Sequence, residues 1–283
     1  MSTVTLSTDL HTQRVGGRKL APDVLMCYIS DMNVSERHRF ILALLAERNR
    51  ASVAELARST KTSEMTIRRD LELLESRGAL RRVHGGAVST LLSGVEPPYA
   101  VRAMVGGETK AKLADVVVRM LNDGETVALD TGTTAVAVAH AMAGRRLTVT
   151  PLSLHATMPL AEHEGIRLLL PGGQVRPGEL SFYGETALRT FEDLRYDTFI
   201  LGCCGVDAAN GATAYNLDDV HVKRVAARAA RRIILVATAE KLGRVALGRI
   251  CSVEQLDVVV TDAPQGTPVV EEMRAAGVNI VHV

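Results

Sequence analysis

The sequence predicts a small winged helix-turn-helix domain followed by a larger α/β domain with a parallel sheet. Two observations support this prediction. Between residues 36 and 90, three short helical segments precede two alternating segments separated by a Gly pair. After Lys110, short apolar segments alternate with Ala-rich helical segments, which is typical of a parallel sheet covered on both faces. A chain of 283 residues is long enough for both domains.

Apolar spacing and capping residues predict the three helices of the first domain. Apolar residues recur at helical spacing in 40–45, the first of the helices. Ser52 and Glu55 form a capping box that opens the second, and Ser63 caps the third. Gly78 is expected to end the third helix. The inward face of that helix carries Ile67, Leu71 and Leu74.

A β-hairpin is predicted after the third helix. Residues 80–88 alternate in polarity on both sides of Gly85-Gly86. We expect this pair to form the turn, because a tight two-residue turn needs positive φ and glycine adopts it without strain. Three helices followed by a basic hairpin predict a winged helix-turn-helix.

The third helix and the hairpin carry the candidate DNA contacts. The N-terminal end of a recognition helix enters the major groove, where Arg can bond a guanine edge. Basic hairpin residues are expected to meet phosphates or the minor groove. A basic pair alone is usually a solvated helix face, but its place in this motif favours DNA binding. The predicted DNA-binding residues are Ser63, Glu64, Thr66, Arg68, Arg69, Arg81, Arg82, His84, Gly85 and Gly86.

The charge distribution agrees with a polyanion partner for the first domain alone. Residues 36–90 hold eleven Lys/Arg and seven Asp/Glu, a net charge of +4, whereas residues 91–283 hold 19 and 22, a net charge of −3. None of the four cysteines forms a CxxC pair, and no zinc-ligand spacing is present. We expect buried thiols in a reducing cytoplasm, no metal, no cofactor and no membrane span.

The predicted organisation has four parts. Residues 1–35 lack periodicity and are expected to be a flexible tail, and residues 36–90 are the DNA-binding domain. Residues 91–109 contain Pro97-Pro98 and Gly106-Gly107 and are predicted to be a linker. Residues 110–283 are the α/β domain, with seven predicted strands: 126–130, 147–150, 166–170, 198–202, 233–237, 257–261 and 279–283.

The clearest site in the α/β domain is Asp130-Thr-Gly-Thr-Thr134, between a predicted strand and a predicted helix. A Gly-containing turn at a helix N-terminus offers N–H groups to a phosphate, and strand carboxyl ends are where α/β sheets bind ligands. A capped turn without ligand is the alternative. Further candidates follow later strands or lie on a helix, and each has a structural alternative such as a Gly turn or a surface ion pair. These candidates are Gly172, Gly173, Gly205, Asp207, Lys223 and Lys241.

The segments 63–71 (SEMTIRRDL) and 80–87 (LRRVHGGA) together resemble the signature of DeoR-family repressors. The resemblance implies that the third helix reads an operator and that the hairpin is the wing. It extends over residues 96–262, which are similar to a sensor domain with a fold related to ribose-5-phosphate isomerase and CoA transferases. That domain usually binds a sugar phosphate.

The resemblance also implies roles for individual residues in the sensor domain. Asp130, Gly132, Thr133 and Thr134 would hold the phosphate, and the further candidates would surround the rest of the ligand. Two segments depart from the family pattern near this site. Pro151 stands where an Asn is usual, and Thr238-Ala-Glu240 replaces Asp-Ser-Ser before Lys241.

The leading hypothesis is a repressor of a carbohydrate or related catabolic operon, gated by a phosphorylated metabolite and active as a dimer or tetramer on paired half-sites. A sugar-phosphate isomerase with a DNA-binding appendage is the alternative, with Asp130 or Asp207 as the base. A third possibility is a DNA-binding protein whose ligand site is vestigial.

Overall fold

The computed structural model describes residues 14–15, 18–19, 32–89 and 96–283. Most of the predicted tail, which includes Cys27, lies outside the described residues, as do residue 90 of the predicted DNA-binding domain and residues 91–95 of the predicted linker. Within the tail, Arg14–Val15 (β1) and Arg18–Lys19 (β2) form a short antiparallel pair.

Residues 34–89, hereafter the head, form the predicted winged helix-turn-helix. A three-stranded antiparallel sheet in the order β3-β5-β4 packs against three helices around one apolar core. The elements are α1 (Val34–Arg48), β3 (Arg50–Ser52), α2 (Val53–Thr60), α3 (Glu64–Ser76), β4 (Leu80–Val83) and β5 (Gly86–Ser89).

The predicted caps set the boundaries of the helices. Ser52 and Glu55 make both hydrogen bonds of a capping box at α2, and Ser63 accepts from the backbone N–H of Thr66 at α3. Strand β3 was not expected, because it has three residues and Ser52 serves both β3 and the N-cap of α2. Asn49, in the left-handed region with φ of 63°, reverses the chain between α1 and β3.

The hairpin turn lies one residue earlier than predicted. Val83 pairs with Gly86, so His84 and Gly85 are the turn residues, and only Gly85 has positive φ, at 76°. Gly86 belongs to β5 and is needed for another reason. A Cβ atom there would lie 2.2 Å from the carbonyl oxygen of Ala51 on β3.

A buried ionic cluster joins α1 to α3. Asp70 on α3 accepts two hydrogen bonds from the Arg37 guanidinium, and its Oδ1 lies 3.0 Å from Nε2 of His38. All three residues are buried. Because a carboxylate and a guanidinium satisfy each other here, the recognition helix is fixed to the rest of the head by charge as well as by apolar packing.

Two helices follow the head where a linker was predicted. Helix α4 (Tyr99–Ala103) lies within residues 91–109, and α5 (Gly107–Arg119) begins there. Val101 of α4 packs in the apolar core of the head. The ring of Tyr99 stacks on His155 of the α/β domain at 3.7 Å between centroids. Helix α4 therefore contacts both domains.

The predicted α/β architecture of the second domain is confirmed. Its main sheet is parallel throughout, with seven strands in the order β17-β16-β14-β11-β6-β7-β8. These strands are β6 (Thr126–Leu129), β7 (Leu147–Pro151), β8 (Ile166–Leu168), β11 (Tyr196–Gly202), β14 (Ala230–Val236), β16 (Val258–Thr261) and β17 (Asn279–His282).

Helices cover the sheet, with a large apolar cluster on each face. They are α6 (Gly132–Ala141), α7 (Leu154–Ala161), α8 (Glu185–Asp193), α9 (Leu217–Ala229) and α10 (Pro268–Ala275). Short antiparallel strands form two further sheets: β9 (Gln174–Val175) with β10 (Phe182–Tyr183), and β12 (Gly205–Asp207) with β13 (Gly211–Ala214) and β15 (Gly248–Cys251).

The strand order creates a crevice beside β6. From β6 the chain runs outward through β7 and β8, and it then returns to β11 on the other side of β6. The loops that leave β6 and β11 therefore diverge, and α/β sheets bind ligands at such a switch point. Among the described residues, no helix is long and apolar enough to cross a membrane, and no group of His, Cys, Asp or Glu is placed to hold a metal ion.

Candidate functional site

The N-terminal half of α3 presents the predicted DNA-binding residues to solvent. Arg68 and Arg69 are exposed, and Arg68 makes a surface ion pair with Glu64 at 3.2 Å. Ser63 is occupied as the N-cap. Met65, which the sequence analysis missed, is 62% exposed on the same turn of helix. An exposed apolar side chain at this position could pack against a thymine methyl group in the major groove.

The wing residues differ in how firmly they are held. Arg81 and His84 are exposed, whereas the guanidinium of Arg82 pairs with Glu72 of α3 at 3.0 Å and its backbone N–H donates to Glu75. Arg82 therefore fixes the wing against the recognition helix in the free protein. This exposed ion pair is weak and can exchange for a phosphate.

Replacing Arg81 and Arg82 together by Ala is expected to weaken binding to operator and to random DNA about equally. Phosphate contacts release counterions, so the slope of log K against log salt should fall by roughly two, one unit per contact. Fluorescence anisotropy across a salt series measures both quantities. A change of base preference at one operator position, with an unchanged slope, would contradict the assignment of the wing to the backbone.

In the α/β domain, the turn after β6 leaves the first turn of α6 without a side-chain cap. Thr131 occupies the N-cap position but makes no side-chain hydrogen bond to the helix. Gly132 has φ of 89°, and a Cβ atom there would lie 3.2 Å from Nη1 of Arg102. The missing side chain thus lets Arg102 approach the helix N-terminus, where N–H groups and the helix dipole favour an anion.

Basic side chains converge on this turn. Gly132, Thr133, Thr134, Lys223 and Lys241 line one small pocket, hereafter the turn pocket, together with Arg102 and Glu96. Sequence analysis proposed the first five of these residues and missed the last two. Among the described residues, no carboxylate lies within 4.0 Å of the Lys241 ammonium group.

Asp130 and Lys223 form a buried ion pair beneath the turn. The Nζ–Oδ2 distance is 2.9 Å, and both side chains are almost fully buried. Asp130 Oδ2 also accepts a hydrogen bond from the backbone N–H of Gly202 at the end of β11. Burial lowers the pKa of Lys223, but Asp130 and Asp219 outweigh it and raise that pKa above its ordinary value. Asp130 does not line the turn pocket, and a ligand role for it remains a prediction.

Arg102 connects the segment after the head to the α/β domain. Its guanidinium pairs with Glu96 at 3.1 Å and with Glu179, and its Nε donates to the carbonyl oxygen of Pro97. Glu179 is buried and Arg102 is 17% exposed. These contacts join residues far apart in the chain, and no sequence motif marks them.

Besides Asp130, four of the proposed ligand residues lie outside the turn pocket, and local structure accounts for each. A Cβ atom at Gly173 would lie 2.5 Å from the carbonyl oxygen of Tyr183, and one at Gly205 would lie 2.3 Å from that of Arg244. Gly172 has φ of 72° in the same turn as Gly173. Asp207 accepts hydrogen bonds from Asn210 in a tight turn. A ligand role for these four remains a prediction.

A larger cavity of about 390 Å³ adjoins the turn pocket and reaches the head. Thr238, Ala239 and Glu240, the segment that departs from the family pattern, line it together with Lys241. Lys110 lines it as well and donates hydrogen bonds to the carbonyl oxygens of Arg102 and Val105. Burial lowers the pKa of Lys110 to about 8, and Lys241 adds to this effect.

Two family models match the chain in its two domains. Residues 37–91 match the DeoR-like helix-turn-helix domain, and residues 106–263 match the DeoR C-terminal sensor domain. Among solved structures, ribose 5-phosphate isomerase A of Methanocaldococcus jannaschii is 17% identical, with a TM-score of 0.37 over 48% of this chain and 54% of that one. A likeness this low carries no argument about function.

Curated relatives match along most of their length. The HTH-type transcriptional regulator GlpR of Haloferax volcanii is 34% identical over 87% of this chain and 97% of its own. The glycerol-3-phosphate regulon repressor of Escherichia coli K12 is 32% identical over 85% and 95%. With both domain models matched in this order, the chain belongs to the DeoR family of transcriptional regulators.

Proposed function

We propose that this regulator represses a carbohydrate or related catabolic operon, and that a phosphorylated metabolite bound at the turn pocket gates its DNA binding. One observation supports the site above all. The uncapped N-terminus of α6 and Lys241 line the same small pocket, and the Lys241 ammonium group has no carboxylate within 4.0 Å among the described residues. Glu96 and Asp219 also line this pocket, but they are paired with Arg102 and Arg176, so the helix N-terminus and Lys241 supply positive potential for a bound anion.

The name of one relative supports a phosphorylated small molecule as the effector. One relative is a glycerol-3-phosphate regulon repressor. We propose an effector of the same chemistry, a phosphate ester of a small polyol or sugar. Paired operator half-sites require a dimer or a higher oligomer of this chain, and repression places it in the cytoplasm with the DNA.

The residues of the turn pocket do not favour an isomerase. Asp130 is paired with Lys223 and Asp207 is held in its own turn, and neither lines the pocket. The carboxylates that do line it, Glu96 and Asp219, are paired with Arg102 and Arg176, which disfavours either as a general base. Burial raises the pKa of Cys203 to about 11 and that of Cys204 to about 12, so neither thiol supplies a nucleophile at neutral pH. The relatives are regulators, and the chain is not an enzyme.

Arg69→Ala should weaken operator binding by about 1–3 kcal/mol and relax the preference at one base position, because an exposed Arg near the start of α3 can bond a guanine edge. Binding curves on the operator and on single-base variants, at fixed salt, measure this. Arg228→Ala, on α9 outside the head, is the matched control and should leave operator binding unchanged. If Arg69→Ala binds the operator as tightly as the parent, Arg69 on α3 does not contact a base.

Thr133→Ala and Lys241→Ala should leave operator binding intact in the absence of effector and abolish the response to it. Both side chains line the turn pocket, and neither contributes to the head. The test is a thermal-shift screen of phosphorylated metabolites followed by operator release with the best ligand. Since ligand at 100 times its Kd adds about 2.7 kcal/mol of stability, a real effector is easily detected. Lys112→Ala, an exposed surface lysine, is the control. A normal response in both pocket variants would refute the site.

A further inference from the structure

The turn pocket cannot hold a whole sugar phosphate. Its volume is about 30 Å³, room for roughly two or three water molecules. That space suits a phosphoryl group but not the carbon skeleton attached to it. The body of any phosphate ester bound here must therefore extend into a neighbouring space.

The cavity of about 390 Å³, hereafter the interdomain cavity, adjoins this pocket. Both spaces share lining residues, so they lie side by side with only these side chains between them: Glu96, Arg102, Thr133, Cys204 and Lys241. Its volume lies within the range of small-molecule sites, about 300–1,000 Å³.

The far wall of the interdomain cavity belongs to the head. Leu42, Ala43 and Leu45 of α1 line it, with Ala79 just before β4. On the sensor side the lining is polar and charged, with Tyr215, Glu240 and Arg244. A ligand with hydroxyl groups on one side and C–H groups on the other matches these two walls, because each wall then meets groups of its own polarity.

We propose that the effector bridges the two domains: its phosphate sits at the turn after β6, and its carbon skeleton fills the interdomain cavity and touches helix α1 of the head. This inference rests on the proposed phosphate site and adds a second subsite to it. A ligand shared by both domains changes the placement of the head directly, because it binds one arrangement of the two domains better than others.

Alkyl phosphates of increasing length test the bridge without assuming a sugar. Inorganic phosphate probes the turn pocket alone, and ethyl and butyl phosphate add carbon atoms that, under this proposal, extend into the interdomain cavity towards the head. In the full-length parent protein, affinity should rise by about fourfold per buried methylene, the fold-change equivalent to about 0.8 kcal/mol. Isothermal titration gives each Kd.

Ala43→Phe is the decisive variant. Ala43 is exposed on α1 and lines the interdomain cavity, so a larger side chain fills the cavity without disturbing the core of the head. This variant should bind inorganic phosphate as the parent does and lose the gain with chain length. Val34→Phe is the matched control: Val34 lies on the same helix, is 54% exposed and does not line the cavity. It should keep the full gain.

The remaining outcomes separate the bridge from the site on which it rests. If inorganic phosphate binds and Lys241→Ala weakens it, but affinity does not grow with chain length, the bridge is wrong and the phosphate site stands. The same conclusion follows if Ala43→Phe keeps the gain. If Lys241→Ala leaves phosphate binding unchanged, both proposals are overturned.

Discussion

Asp70→Ala is expected to destabilise the head strongly and to weaken operator binding. The carboxylate is the partner of the buried Arg37 guanidinium and lies 3.0 Å from the ring of His38. Its removal leaves Arg37 buried without a counter-charge, which costs about 3–5 kcal/mol. That is a large share of the total stability of a small domain, typically about 5–15 kcal/mol. Urea denaturation and operator titration measure the two effects.

The sensor domain should be unaffected by this change, so phosphate binding reports whether the variant protein is otherwise intact. Glu72→Ala, on the exposed side of the same helix, removes a surface pair with Arg82 and should cost no more than about 1 kcal/mol. The double variant Asp70→Leu with Arg37→Met should recover much of the stability that Asp70→Ala loses, because an apolar pair of similar volume leaves no buried charge without a partner. A loss below about 1 kcal/mol for Asp70→Ala would show that the buried cluster does not hold α3.

Asp130→Ala should destabilise the sensor domain by a similar amount, about 3–5 kcal/mol, because it leaves the Lys223 ammonium group buried without its nearest carboxylate. The family resemblance places Asp130 among the residues that hold the phosphate, and on that basis this variant would lose only the effector response. The structure changes that expectation, since the carboxylate lies beneath the pocket and supports the ends of β6 and β11. Chemical denaturation of the full chain measures the loss.

Two companions make the Asp130 result interpretable. Asp115→Ala removes an exposed aspartate from α5 and should have an effect within about 0.5 kcal/mol. Asp130→Leu combined with Lys223→Met removes both charges and should restore folding while leaving Thr133 and Lys241 in place. If the single variant is as stable as the parent and only its effector response is lost, the carboxylate contacts the ligand and our placement of it is wrong.

Local signals accounted for most of the fold. Ser52 and Ser63 predicted the starts of two helices, because an N-cap residue bonds to a residue only three positions along the chain and can be recognised from local sequence. All seven strands of the main sheet were expected, since buried parallel strands appear as continuous apolar segments. The hairpin was expected one residue late, because the sequence shows two glycines but not which one closes the turn and which one lies against Ala51.

The candidate site was predictable only in part, and the reason is the distance along the chain between its members. The turn after β6 and Lys241 follow strands and could be found from that position. Arg102 and Glu179 are 77 residues apart and meet only once the domains pack. Nothing in the local pattern around Arg102 distinguishes it from a surface residue of a linker. Asp130 was predicted to hold the phosphate, but it does not line the turn pocket, and its burial beside Lys223 was not visible in the sequence.

Helix α4 has a consequence for anyone who recombines these proteins. Val101 belongs to the core of the head, and the next residue, Arg102, belongs to the sensor pocket. No junction in the chain separates these neighbours into their own domains without splitting a five-residue helix. In a hybrid that joins the head of one regulator to the sensor of another, the residue at position 101 must fit the core of the head and the residue at position 102 must fit the pocket of the sensor. A junction at residue 90 takes both residues from the sensor parent, so the residue at position 101 then faces the core of a foreign head.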